Sequence, residues 1–529
     1  MSETVVGENG MVVAPHAAAA EAGAEVLRAG GNALEAMIAT AATIAVVYPH
    51  MNGIGGDVFF LVAEPGRPPR GIDACGAAGA LATMERYSKQ GYDRLPSRGP
   101  EAALTVAGAV SGWGLAEEIS TALGGRLSRR DLLADAIRRA REGITVTRSQ
   151  SRMAGEQLAG LKDVPGFAAH FLSEGKAPEV GARLVQPRLA DTLEQLAHAG
   201  YDDFYRGDIG AEIAADLEAA GTPVTRRDLE RHEAKLVTPL MLKLSDGSVH
   251  NMPAPTQGIA SLIILGLFDR LGVKRGESFE HIHGLIEATK RAAAVRDAEV
   301  TDRAFAGDLS RFLTPQWLDG EAARIDMRRA GPAGVFGPPG DTVWLGAIDR
   351  KGLAVSFIQS LYWEYGSGVV LPRTGILWQN RGISFSLDPA SRNPLTPGRK
   401  PFHTLNPPLA RFNDGRVMSY GSMGGDGQPQ FQAQVFTRHV RFGMEVGDAV
   451  AAPRFCVGGT WGRQDAALLC ESRFDPDLVS ALERAGHVVT VSPEPFLDGM
   501  GHAGAIVRRA DGRLFGASDP RSDGAAVAG

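Results

Sequence analysis

"GPPGDTVWLGAIDRKGLAVSFIQSLY", residues Gly337–Tyr362, decides how this chain is read. Gly and Pro, which break helices and strands alike, run straight into Thr342 and the strand-like stretch TVWLGAID. A tight turn at Arg350-Lys351-Gly352 and a second strand-like run, Leu353 to Tyr362, complete a hairpin pattern. The threonine stands bare at the junction of loop and strand. Its hydroxyl is a poor nucleophile without an adjacent base, and one economical base is its own α-amine, available only if the residue begins a chain. Scission of the Asp341–Thr342 bond supplies that amine. The preceding Gly331 to Gly340 (GPAGVFGPPG) has the composition of an exposed, cleavable loop, and a strand start would hold Thr342 rigidly afterwards. The same residues are also compatible with an ordinary loop-to-strand junction.

Beyond the hairpin the pattern continues as short strands and Gly/Pro turns, so the last third reads as strand-rich. Before it, helical patterns dominate. His16 to Arg28 and Ala33 to Val47 form an Ala-rich pair closed by glycines, followed by helices at Ser128 to Glu142, Pro187 to Ala199, Ile209 to Ala220, Ile259 to Leu271 and Ser278 to Thr301. One strand, Val58 to Val62, is legible early in the chain. This implies a helix-rich portion, 1–341, and a strand-rich portion, 342–529.

The 529 residues carry 55 basic and 61 acidic side chains, net −6, with no basic stripe interleaved with aromatics; a nucleic-acid partner is not expected. Three widely spaced cysteines, Cys75, Cys456 and Cys470, indicate neither a disulfide framework nor a zinc ribbon and suit a reducing cytoplasm. The polar N-terminus lacks the basic and apolar regions of a signal peptide, and Ala36 to Val47 is too short and too rich in Ala and Thr to span a bilayer, so no membrane partner is expected.

HExxH, GxxxxGK[ST] and GxSxG signatures are missing, which argues against metal hydrolysis, P-loop chemistry and the nucleophile elbow. His281 and His283, in EHIHGLIEA, face different sides of a helix without a matching acidic pattern and read as structural rather than metal-binding. The glycines of NGIGGD precede a strand instead of opening a helix, the reverse of a dinucleotide loop. No metal or organic cofactor is expected.

The segments MVVAPHAAAAEAGAEVLRAGGNALEAMIA, YPHMNGIGGDVFFLV, DTVWLGAIDRKGLAVSFIQSLYWEYGSGVVLPRTGILWQNRG, GRKPFHTLNP, GSMGGDGQPQ and GASDPRSDG occur in this order across nearly the whole chain. Together they resemble the γ-glutamyltransferase family of N-terminal-nucleophile hydrolases, made as one chain and self-cleaved into two subunits. The resemblance implies an α+β fold, a four-layer αββα sandwich, built jointly by 1–341 and 342–529. It implies that Thr342 first cleaves its own peptide bond and then takes the substrate's acyl group, that Gly424-Gly425 form the oxyanion hole, and that Ser360 replaces a threonine hydroxyl beside the nucleophile. The cleaved subunits would stay together as a heterodimer, or as a dimer of such pairs.

The chain departs from the family where γ-glutamyl groups bind. Cys75 stands where the family has an arginine for the substrate α-carboxylate. Tyr362, Arg381 and Ser384 stand where it has an asparagine, a glutamine and an aspartate for the α-amine, and His403-Thr404 replace a serine pair. A thiol cannot substitute for a bidentate guanidinium, and loss of the acidic partner removes the ion pair to the ammonium. Arg381, near Tyr362 and Trp363, with Asn380, His403 and Thr404, would instead suit a small acid amide, its carboxylate on Arg381 and its carbonyl towards Thr342. The expectation is therefore a cytoplasmic, self-processing amidohydrolase. Glutathione hydrolysis or γ-glutamyl transfer, another acylase activity, and an uncleaved non-catalytic binding protein remain open alternatives.

Overall fold

In the computed structural model, strands Asp341–Asp349 and Ala354–Tyr362 form the expected antiparallel hairpin, in register from Val343 opposite Gln359 to Ile348 opposite Ala354, and both are buried throughout. Residues 3–332, 341–458 and 468–529 are described, so the expected loop at 331–340 lies, from 333 on, outside the described residues. Successive side chains alternate between two cores. Val343, Leu345, Ala347, Val355 and Phe357 join a core shared with the Ala-rich helices. Trp344, Ile348 and Ile358 point the other way, into a layer between two sheets. A hairpin buried on both faces must lie centrally in a layered fold.

Two seven-stranded antiparallel sheets stack against each other. One has the order Ala525–Ala528, Gly10–Ala14, Asp341–Asp349, Ala354–Tyr362, Asp57–Ala63, Arg70–Ala74, Lys235–Val237. The other runs Val5–Gly7, Leu514–Ser518, Ala503–Arg508, Val417–Ser422, Leu409–Phe412, Gly247–Asn251, Leu240–Leu244. Helices Ala17–Arg28, Ala33–Val47, Ala109–Ala122, Arg129–Glu142 and Pro187–Ala199 cover the first sheet. Helices Gly258–Arg270, Phe279–Glu299 and Gln428–Phe436 cover the second. The result is the four-layer αββα sandwich.

Local chemistry explains the helix starts. His16 caps Ala17–Arg28 through Nδ1, which accepts the Ala18 N–H, while Asn32 and Glu35 form a capping box before Ala33–Val47. Every residue of Ala33–Val47 is buried, and no helix among the described residues is long and apolar enough to cross a membrane.

Strands are denser along the shorter part from Asp341 onward, but the sheets are not built from that part alone. Seven of the fourteen sheet strands precede Asp341, and both sheets interleave strands from the two sides of the Asp341–Thr342 bond. Early strands such as Val5–Gly7 and Lys235–Val237 have only three residues each, too few for a period-2 pattern to register in the sequence.

Between the sheets the Trp344 indole lies against glycine backbone. A Cβ on Gly421 would fall 2.1 Å from Trp344 Cδ1, so only glycine admits the ring. Trp344 Nε1 donates to Ser356 Oγ at 2.9 Å, and Ser356 Oγ donates to the Tyr420 carbonyl at 3.3 Å, fixing one sheet on the other.

Candidate active site

At the start of its strand Thr342 is only 1% exposed. Its Oγ1 lies 2.6 Å from the carbonyl oxygen of Asp341 and 3.2 Å from Ser360 Oγ. Ser360, at the end of the paired strand, donates to the same carbonyl at 2.5 Å and accepts the Tyr362 N–H at 2.7 Å. One consistent proton assignment satisfies all three groups: Thr342 O–H to Ser360 Oγ, Ser360 O–H to the Asp341 carbonyl, Tyr362 N–H to Ser360 Oγ. That arrangement draws the threonine's proton away while polarising the carbonyl its oxygen would attack. The sheet register shifts between Asp341 and Val343, and Tyr362 has a left-handed backbone, φ 84°. Such strain in a non-glycine residue persists only where its surroundings enforce it.

The Asp341 side chain is buried, and its Oδ2 has no hydrogen-bond partner among the described residues. Burial first, and the Glu364 carboxyl second, push its pKa well above the ordinary carboxylate range. Glu364 is also raised by burial, with Arg98 opposing; Arg98 Nη2 lies 3.7 Å from its Oε2. Both carboxyls bordering the junction are therefore harder to ionise than free ones.

A buried cation stands beside Tyr362. Arg381 is 1% exposed, its guanidinium carbon lies 3.2 Å from the centre of the Tyr362 ring, and Nη1 donates to Thr404 Oγ1 at 3.0 Å. Nε and Nη2 are buried with no hydrogen-bond partner among the described residues. Such donors are costly to bury unless an anion completes them. His403 follows on: the Leu405 N–H donates to Nδ1 at 3.4 Å, leaving the ring proton on Nε2, which faces Asp57 Oδ2 at 3.2 Å. Burial, then Arg381 and Lys400, hold the His403 pKa well below the usual histidine value, so the ring is neutral. Burial pushes Asp57 up to about 7 against the N–H groups of Gly76 and Gly108 and the Gln379 amide, all donating to Oδ1.

The glycine turn follows strand Val417–Ser422 in the second sheet. Ideal Cβ positions bring Gly346 near Ser419 and Gly421 near Trp344, so this strand faces strand Asp341–Asp349 across the sheets. Gly424 has φ 120° and Gly425 φ 51°, conformations that favour glycine. Among the described residues neither amide N–H has an acceptor. Gln257 ties this turn to the cation: its Nε2 donates to the carbonyls of Gly425 at 2.8 Å and Thr404 at 2.7 Å. Arg296 holds Gln257 Oε1 at 3.2 Å and pairs with Asp426 at 3.1 Å.

Thr342, Asp341, Ser360, Tyr362, Arg381, Thr404, Gly425 and His403 are thus joined by direct contacts or through Gln257. Asn380 lies beside them with its amide engaged by backbone: Oδ1 accepts the Trp363 N–H at 3.2 Å, and Nδ2 donates to the Ser97 carbonyl at 2.9 Å. Cys75 is buried and donates to Asp73 Oδ1 at 3.2 Å. Sequence reasoning missed Asp57, Gln257, Arg296 and Glu364. Asp57 was within reach, as the acidic residue closing NGIGGD at a strand start; the others sit within otherwise ordinary helical or turn patterns.

The four-layer sandwich, with a buried hydroxyl residue at the start of a central strand hydrogen-bonded to the carbonyl before it, is the architecture of an N-terminal-nucleophile hydrolase. The match to the gamma-glutamyltranspeptidase family model spans residues 19–529, and the chain belongs to that family. It is a self-processing amidohydrolase of this class. The chain is 52% identical over 529 residues to the oxamate amidohydrolase proenzyme of Klebsiella pneumoniae, covering all of both chains. It is 38% identical over 535 residues to the glutathione hydrolase-like YwrD proenzyme of Bacillus subtilis, again covering both completely. The crystal structure of cephalosporin acylase from Bacillus halodurans superposes with a TM-score of 0.91 at 33% identity, covering 100% of this chain and 97% of that one.

Proposed function

We propose that the chain cleaves itself between Asp341 and Thr342 and then hydrolyses a small acid amide, oxamate first among candidates, to the dicarboxylate and ammonia. The observation that carries the substrate assignment is Arg381, a buried guanidinium with two unpartnered N–H donors, linked through Tyr362 and Ser360 to Thr342. A carboxylate one bond from an amide carbonyl would complete those donors. The name of the Klebsiella relative supports the same substrate.

In self-cleavage, Thr342 Oγ1 attacks the Asp341 carbonyl carbon while Ser360 takes its proton and bonds the carbonyl oxygen. The C–N bond breaks as the Thr342 nitrogen gains a proton, and water hydrolyses the resulting ester. The freed α-amine then serves as base. Thr342 Oγ1 attacks the substrate amide, the amine carries the proton to the leaving nitrogen, and the N–H groups of Gly424 and Gly425 hold the oxyanion. Each such donor is worth roughly 3 kcal/mol. Ammonia leaves, and water resolves the acyl-Thr342 ester to regenerate the enzyme.

The chains 1–341 and 342–529 remain together as a heterodimer because each supplies strands to both sheets. Tyr362, His403 and Thr404 shape the pocket around Arg381, and Asn380 positions Trp363. A cytoplasmic location is supported by three buried free thiols. The test is ammonia release from oxamate beside other small acid amides, glutaryl amides and a γ-glutamyl anilide. Turnover of the γ-glutamyl anilide with none of oxamate would refute the substrate assignment.

A further inference from the structure

Away from the threonine, in the helical layer over the second sheet, three metal-ligating side chains converge. His283 and Glu287 are one turn apart on helix Phe279–Glu299 and share a face. His487 arrives from beyond helix Pro476–Arg484. All three are buried, and their ligating atoms lie within 4.8 Å of one another. His283 Nδ1 is 2.8 Å from His487 Nε2, which is 4.0 Å from Glu287 Oε1.

Two imidazole nitrogens on one tetrahedral zinc ion stand about 3.3 Å apart, so the pair needs to open by only about half an ångström. His283 Nε2 lies 2.8 Å from the Asp326 carbonyl oxygen. With the ring proton there, the Nδ1 lone pair faces His487 and Glu287; a backbone carbonyl on the remote nitrogen is the usual orienting partner of a ligating histidine. Phe279 stacks on the ring at 4.9 Å and fixes its plane. Glu287 accepts Lys290 Nζ at 2.8 Å on Oε1 and the Gly331 N–H at 3.1 Å on Oε2, each oxygen keeping a second lone pair. Lys290 also donates to the Gly331 carbonyl at 3.0 Å; its charge opposes a divalent ion and moderates the affinity.

We propose that His283, Glu287 and His487 bind one divalent transition ion of the Zn²⁺ type, clasping the segment before the Asp341–Thr342 bond to the segment after it. Two imidazoles and one carboxylate match the donor preference of zinc. The ion's role as a clasp between two chains rests on self-cleavage; its binding does not.

The test is calorimetric titration of EDTA-treated protein with Zn²⁺, on the mature enzyme and on uncleaved Thr342→Ala. One ion per chain pair, and one per uncleaved chain, is expected, and Zn²⁺ should raise the urea concentration at which the mature fragments separate. Failure of cleavage alone would remove only the second effect. His487→Asn, which keeps a donor for His283 Nδ1, and Glu287→Gln should each weaken binding about tenfold or more. Unchanged Zn²⁺ binding in both variants, or none by wild type, overturns the site. Should a variant fail to fold, zinc-edge absorption on the wild type decides. Imidazole and carboxylate ligands at about 2.0–2.1 Å are expected, and sulfur ligation overturns the site.

Discussion

Ser360 Oγ lies 2.5 Å from the carbonyl oxygen of Asp341, across two paired strands, while accepting the backbone N–H of Tyr362. The hydroxyl that assists the threonine is therefore held by the same strand turn that presents Tyr362 to Arg381. In the proposed mechanism, processing and substrate binding share one element.

Ser360→Ala removes the donor to the carbonyl that becomes an oxyanion during self-cleavage. Roughly 3 kcal/mol per such donor predicts processing slowed about a hundredfold, with Ser360→Thr near wild type. A time course on denaturing gels measures this. Thr342→Ala should remain a single chain of 55.9 kDa with no hydrolytic activity. Fragments ending at position 341 in that variant would refute the assignment of Thr342.

Arg381→Ala should raise KM for oxamate about 10- to 100-fold, the equivalent of a charged hydrogen bond at about 1.5–3 kcal/mol, while self-cleavage continues. Arg381→Lys should recover part of the loss, since an ammonium supplies charge without the planar fork. Equal loss of processing and turnover would make Arg381 a structural residue instead.

Asp341 ionises with difficulty in the uncleaved chain because it is buried and faces Glu364. A carboxyl whose folded pKa is raised binds more protons folded than unfolded, so its contribution is fully present below the ordinary Asp value and is lost as pH rises above it. In a Thr342→Ala background, Asp341→Asn should therefore gain stability relative to Asp341 as pH rises from 4 towards 8. Urea unfolding at several pH values tests this, and a difference that shrinks with rising pH would contradict it.

Gly421→Ala would place a methyl 2.1 Å from Trp344 Cδ1. Overpacking of this kind costs about 1–3 kcal/mol or more, because a ring sandwiched between sheets has no free direction to move. The expected readout is a lower Tm with slower processing, since Trp344 is two residues from the nucleophile. An unchanged Tm would show that the sheets separate more readily than their packing implies.

Much of this site was legible in the residues. Thr342 stands out because a Gly/Pro stretch meets a strand at a hydroxyl residue, and the limits of helices Ala33–Val47 and Pro187–Ala199 are legible because caps and glycines act locally. The strand count before Asp341 was not legible: a three-residue strand carries almost no periodic signal and exists because its neighbours pair with it. Arg381 was compatible with a surface ion pair until the fold buried it beneath Tyr362 and left two of its donors unpaired. Burial raises the pKa values of Glu364 and Asp57, and partners far apart in sequence, Arg98 for the one and Gln379 for the other, oppose it.

By itself, then, the amino-acid order carried the family-wide sandwich, the limits of helices such as Ala33–Val47 and Pro187–Ala199 but not helices Ala109–Ala122 and Arg148–Leu161, and the residue proposed as a new N-terminus, through nearest neighbours and motifs read in series. Tertiary structure alone decided which charges lost water, which donors of Arg381 stay unpaired, and that His283, Glu287 and His487 meet. Solvation and distance are properties of the packed chain, created only when strands from both sides of the Asp341–Thr342 bond interleave.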